Sequence, residues 1–170
     1  MAPKLTDPNS FLQNLVSRKG KSDLFGTYLT GVNILANAEE DYGYGIPFDE
    51  IEREIENTFI NDRNDWNNLL VQTRMERHEF LFPISFVRSG EPYTVYFVVE
   101  GNKISSMVFI PSLTACEFKK EVVFFQALLK EVSLFAGKTP TTLRFTLGAV
   151  SISWDDLVDT GHARAVDITL

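Results

Sequence analysis

The chain has 170 residues, 44% of them hydrophobic and 14 of them Phe, enough for a single domain over 1–170 with an aromatic core. Its net charge of −7 excludes broad electrostatic binding to nucleic acid, which needs a basic face. Cys116 is the only cysteine, which excludes an internal disulfide and a Cys-rich zinc site, and no apolar run reaches the roughly 20 residues of a membrane-spanning helix.

Asp7-Pro8 reads as an N-cap followed by proline at the first helical position, with Phe11, Leu12, Leu15 and Val16 on one helical face. That helix runs into the basic turn Arg18-Lys19-Gly20-Lys21. Residues 24–36 read as a strand interrupted by Gly26 and Gly31, and EEDYGYGIP as a loop. A second helix is expected from a capping box of Asp49 and Glu52, with Phe48 as a staple and Ile51, Ile55 and Phe59 as its stripe. NDRNDWNN reads as a polar turn or short exposed helix, and LLVQT (69–73) as a strand. FLFPISFV is a further strand, with Pro83 marking a bulge or an edge. YTVYFVVE and SMVFI form a hairpin about Glu100-Gly101-Asn102 that stops at Pro111.

Residues 114–134 predict a long helix. Phe118, Val122, Phe125, Leu129 and Val132 form one stripe, and Val123, Phe124, Ala127 and Leu128 widen it, so the helix is buried on more than one side. LRFTLGAVSIS is the last strong strand. The order predicts an α+β domain with a mostly antiparallel, mixed sheet around that helix. The N-terminus lacks an apolar signal core, and the expected location is cytoplasmic.

Chemistry-bearing residues are few. Gly20-Lys21-Ser22 ends like a phosphate-binding P-loop, but Leu15 stands where that pattern needs glycine, and a helix precedes it where a strand should. Arg18, Lys19 and Lys21 remain a candidate phosphate-binding turn, against the simpler reading of cations at a helix end. Asp155, Asp156, Asp159, His162 and Asp167 match no metal motif and read as an exposed acidic tail, so no metal and no cofactor is expected. Cys116, at the start of a helix, is the one candidate nucleophile; a small buried hydrophobe is the alternative. His78 lies in a charged segment and marks no catalytic set.

The stretch FPISFVRSGEPYTVYFVVEGNKISSMVFIPSLTACEFKKEVVFFQALL, followed by LRFTLGAVSIS, resembles the thymidylate synthase and pyrimidine hydroxymethylase superfamily in the order and spacing of its elements. Phe145-Thr146-Leu147-Gly148 is the closest literal match, and SRKGKSDLFGTYL resembles the family's phosphate-binding turn through Arg18, Phe25 and Gly26. The resemblance implies that fold, a homodimer paired through a sheet face, and a pyrimidine nucleotide held near Arg18 and Lys103. It also exposes departures. The family's nucleophilic Cys and its His fall near Glu79 and Phe80, and its phosphate-holding Arg and Ser near Asn102 and Lys103. The following Asp falls near Ser105, the ring-reading Asn near Leu113, and the sugar-gripping His and Tyr near Ser151 and Ser153. Without a thiolate to attack C6, the pyrimidine C5 carbon is not activated. The expectation is therefore a non-catalytic binding or assembly protein with residual nucleotide affinity. The alternatives are an active C5 methyl- or hydroxymethyltransferase using Cys116, and an unrelated α+β interaction module.

Overall fold

The computed structural model describes residues 5–11, 13, 27–59, 63–75, 80–88 and 90–152. These form an α+β fold in which one five-stranded mixed sheet carries three helices, in the order β1 (Thr27–Asn37), α1 (Phe48–Phe59), α2 (Arg63–Met75), β2 (Phe80–Arg88), β3 (Glu91–Glu100), β4 (Lys103–Thr114), α3 (Glu117–Ala136) and β5 (Thr139–Ile152). The strands lie in the order β1-β5-β4-β3-β2. Every neighbouring pair is antiparallel except β4 and β5, which run parallel. A parallel pair needs a crossover, and α3 supplies it.

The β3–β4 turn is tight because Gly101, at φ 60°, takes the left-handed conformation at no steric cost. Alternation then sorts the side chains. Tyr93, Val95, Phe97 and Val99 of β3 are buried, as are Ile104, Val108 and Ile110 of β4 and Leu143, Phe145 and Leu147 of β5. All face α3, whose Phe118, Val122, Phe125, Leu129 and Val132 are buried in turn. Phe118 and Phe125 meet the Phe145 ring edge-on at 5.4 and 6.0 Å. Each such buried aromatic contributes about 1.5–3 kcal/mol. The other side of α3 packs on α1 and α2, so the helix is buried on more than one side, as its width of apolar residues predicts.

Asp7 does cap the N-terminal helical turn: its Oδ1 accepts from the Ser10 backbone N–H at 3.0 Å, and Phe11 packs on Phe118 at 5.4 Å. The Ser10 hydroxyl first, and then its backbone N–H, hold the Asp7 carboxyl below its ordinary value. Just ahead of it, Thr6 accepts from Leu35 N–H at 2.9 Å and covers part of the outer edge of β1. Pro83 lies in β2, an edge strand, which is where a proline within a sheet is tolerated.

Several expectations are corrected. LLVQT is not a strand but lies inside α2. Leu69, Leu70 and Thr73 are buried and Trp66 half-buried, a spacing of three and four that fits a helix face, whereas a short apolar run alone suits either element. Residues 63–68 of NDRNDWNN are helical, the second of its two readings, and Asn67 and Asn68 are exposed, but the helix is not short: it runs on to Met75 with Trp66 half-buried. β4 does not stop at Pro111 but continues to Thr114. The antiparallel β3–β4 ladder ends at Thr94↔Phe109, so Pro111 removes no bond from it. The long helix consequently starts at Glu117, not 114, and ends at Ala136. α1 begins at Phe48, which places Asp49 inside the first turn and not outside it as a cap.

Candidate functional site

Two surfaces carry side chains that could act on a partner. The first is a cleft of about 310 Å³ at the C-terminal ends of β4 and β5, where α3 begins. Ligands of sheets with parallel strands commonly sit at such ends. Backbone bonds hold it in shape: Ala115 N–H donates to Ser151 O at 2.8 Å, and Thr114 N–H to Glu117 Oε2 at 3.0 Å. Its lining includes Tyr93, Ser112, Leu113, Thr114 and Ser151, with Glu91 and Glu117 as its charged groups. Two carboxylates and no cation in the described lining oppose a phosphate there.

Behind the cleft lies an ion-pair network that links three elements. Arg88, at the end of β2, donates from Nε to both carboxylate oxygens of Glu121 on α3, at 3.0 and 2.8 Å. Its Nη2 donates to Glu54 Oε2 on α1 at 2.9 Å. Lys120 bridges Glu54 and Glu50, and the Arg88 guanidinium stacks 3.8 Å from the Phe124 ring centre. Burial opposes the Arg88 charge, but Glu121 and Glu54 more than offset it and hold the guanidinium firmly protonated. Burial pushes the Glu121 carboxyl up, only partly countered by Arg88. Glu54 is also opposed by burial, yet Lys120 and Arg88 draw its pKa below the ordinary value. Burial likewise raises the Tyr93 phenol, with the Glu121 charge adding to it, so Tyr93 stays protonated. No sequence motif announced this set. The signal was a single acidic residue, Glu121, inside the otherwise apolar stripe between Phe118 and Phe125.

The second surface is the face of the sheet turned away from the helices. Register places Leu35, Arg144, Met107, Tyr96 and Pro83 in one row across all five strands. Asn33, Thr146, Phe109, Thr94 and Ser85 form the next. Leu35, Met107 and Tyr96 are partly exposed, and Phe109 is 36% exposed with its ring edge-on to Tyr96 at 5.7 Å. The Thr146 hydroxyl donates to Asn33 Oδ1 at 3.1 Å, and this row carries no charge, Arg144 standing in the neighbouring one.

The residues singled out in the sequence are scattered. Arg18, Lys19, Lys21, His78, His162, Glu79, Ser153 and the acidic tail lie outside the described residues. Leu113 and Ser151 do line one cleft together. Lys103 is exposed at the opposite end of β4, ten residues from Leu113 and hence about 33 Å away along an extended strand. Asn102 and Ser105 sit at that far end too, so the structure does not bring Lys103 to the cleft. Cys116 is exposed in the turn before α3, with its Sγ 3.7 Å from Thr114 Oγ1, and is not buried as a small hydrophobe. It is not among the residues lining the cleft. Among the described residues no group of three His, Cys, Asp or Glu side chains is arranged to hold a metal, and no helix is long and apolar enough to cross a membrane. No protein-family model matches the chain, and no curated protein matches it.

Proposed function

We propose that this chain is a non-catalytic assembly protein that pairs with a second copy of itself through the open face of its sheet. The observation that carries the reading is the row Leu35–Arg144–Met107–Tyr96–Pro83 with Phe109 beside it: large apolar side chains on the side of the sheet that the three described helices leave bare. Five strands of 9 to 14 residues present a face of about 24 by 36 Å, or roughly 900 Å². A stable interface needs about 800 Å² from each partner, so the face is of the right order. A second copy also fits its chemistry. The two central rows hold aromatic, aliphatic and polar uncharged groups with Arg144 as their one charge, while Glu100 and Lys103, partners in register, share this face at its β3–β4 turn end; such a surface can meet its own image without opposing rows of like charge. The resemblance to the thymidylate synthase superfamily supports the same mode of pairing.

Nucleotide binding is no part of this proposal. Lys103 and Leu113, which the resemblance assigns to one ligand, lie at opposite ends of β4, farther apart than a single nucleotide extends. Sedimentation equilibrium tests the reading. The wild-type chain is expected to be a dimer at micromolar concentration, and Phe109→Glu and Met107→Glu are expected to be folded monomers. A wild-type chain that stays monomeric, or mutants that stay dimeric, would overturn it.

A further inference from the structure

Arg144 is the one charge in the two central rows of the open sheet face. It is exposed on β5, between Leu35 of β1 and Met107 of β4, and it pairs with no described residue. Covering the face with a second copy takes its guanidinium out of water. A desolvated cation with nothing to meet is strongly destabilising, so the covering surface must supply a group for it.

The rows decide which group that is. Neither central row holds an acid. The Thr146 hydroxyl is given to Asn33 Oδ1 at 3.1 Å, and the Ser85 and Thr94 hydroxyls bond to each other at 3.3 Å. The Tyr96 ring remains. An electron-rich ring face attracts a guanidinium, and Arg stacks on such faces more readily than Lys. Phe109 holds that ring in place, edge-on at 5.7 Å.

Register then fixes the geometry. Arg144 and Tyr96 stand in one row on the strands either side of β4, each about 4.8 Å from Met107 in opposite directions. Two sheets packed face to face lie about 10 Å apart with their strands within about 30°. A two-fold axis between them runs along the strands or across them. Along β4, the axis exchanges β5 with β3 and sets each Arg144 over the partner's Tyr96. Across the strands, it lays β5 over the partner's β5 and gathers the two guanidiniums together.

We propose that Arg144 sets the arrangement of the dimer: the two-fold axis runs along β4, and each Arg144 stacks on the partner's Tyr96. This rests on pairing through the sheet face and adds the axis and the contact that selects it. At the rim, the same axis sets each Glu100 one strand away from the partner's Lys103, so opposite charges alternate there too.

Cross-linking tests the axis. Asn33 on β1 and Ser85 on β2 share a row at opposite edges of the sheet. Chains with Cys116→Ser and either Asn33→Cys or Ser85→Cys are mixed, allowed to exchange, and treated with a bismaleimide spanning about 10 Å. The mixed pair is expected to link. Neither chain alone should, because like thiols then stand about 20 Å apart. Sedimentation tests the contact. Tyr96→Leu should weaken the dimer about tenfold or more, and Tyr96→Phe, which keeps the ring, less than about threefold. Arg144→Met added to Tyr96→Leu should restore most of the loss, since no unpaired cation is then buried. A monomeric wild type overturns the pairing and this arrangement with it. In a protein that does dimerise, self-linking of either chain, no mixed product, a Tyr96→Leu dimer as tight as wild type, or a loss that Arg144→Met does not restore would overturn the arrangement alone.

Discussion

Gly148 sits where a Cβ would lie 2.5 Å from the Pro111 carbonyl oxygen on the adjacent strand β4. The obstacle is backbone, so it cannot swing aside. Gly148→Ala is expected to destabilise the fold by about 1–3 kcal/mol, the usual cost of overpacking, read as a shift in the urea midpoint with an unchanged slope. Arg88 shows a different dependence on its surroundings. Its side chain is 9% exposed and that of Glu121 is 5% exposed, so removing either partner leaves a buried charge. Arg88→Met is expected to cost about 3–5 kcal/mol, and the double change with Glu121→Leu to recover most of it, because an apolar pair desolvates nothing. The same network sets the pH dependence. Glu54 has a folded pKa below its ordinary 4.5, so the stability it contributes is present above 4.5 and is lost as pH falls through the folded value. Glu121 has a raised folded pKa, so its contribution is greatest below 4.5 and declines as pH rises through the folded value. Denaturation across pH 3 to 8 should therefore show a rise up to the 4.5 region and a decline above it; Glu131, also raised by burial, shares in that decline, so Glu121→Gln should reduce the decline and leave the rise in place.

Among elements, those with an unambiguous period were readable from the residues. α3 shows a stripe of apolar positions too wide for a surface helix, and β3 alternates over ten residues, buried side chains at every second position. α2 was not readable at residues 69–73, because five residues contain neither a full helical period nor a clear alternation, and its burial depends on Phe59 stacking on Trp66 at 4.6 Å. The end of β4 was hidden for a related reason. Proline reads as a stop, yet whether its missing N–H matters depends on which neighbour still pairs there. The candidate surfaces were legible only in part. Leu113 and Ser151 were drawn to one place by the resemblance and do share a cleft, while Arg88 and Glu121 stand 33 residues apart with no motif between them. Gly137 is a local signal that the sequence does carry. It closes α3 at φ 68°, with Gly137 N–H donating to Leu134 O at 3.4 Å and Lys138 N–H to Ser133 O at 3.0 Å. Gly137→Ala keeps the bonds but strains the backbone, and a loss of about 1 kcal/mol in calorimetry is expected.

At the scale of the whole molecule, a sheet with helices on one described face can lower its free energy by covering the other. If two copies do so, folding and association are linked, and the apparent stability depends on protein concentration. Tm should rise as the wild-type chain is concentrated, and should be independent of concentration in Met107→Glu. Salt sharpens the test. Each copy carries a net charge of −7, so two copies repel at long range, and screening weakens that repulsion while leaving apolar burial in place. Association through Leu35, Met107, Tyr96 and Phe109 is therefore expected to tighten as sodium chloride is raised. Pairing built on exposed ion pairs would loosen under the same change. A dimer that dissociates in salt would place the contact elsewhere, since the two central rows carry Arg144 with no acidic group to pair with it, and Glu100, the acidic group at the rim of this face, lies opposite Lys103 of its own sheet.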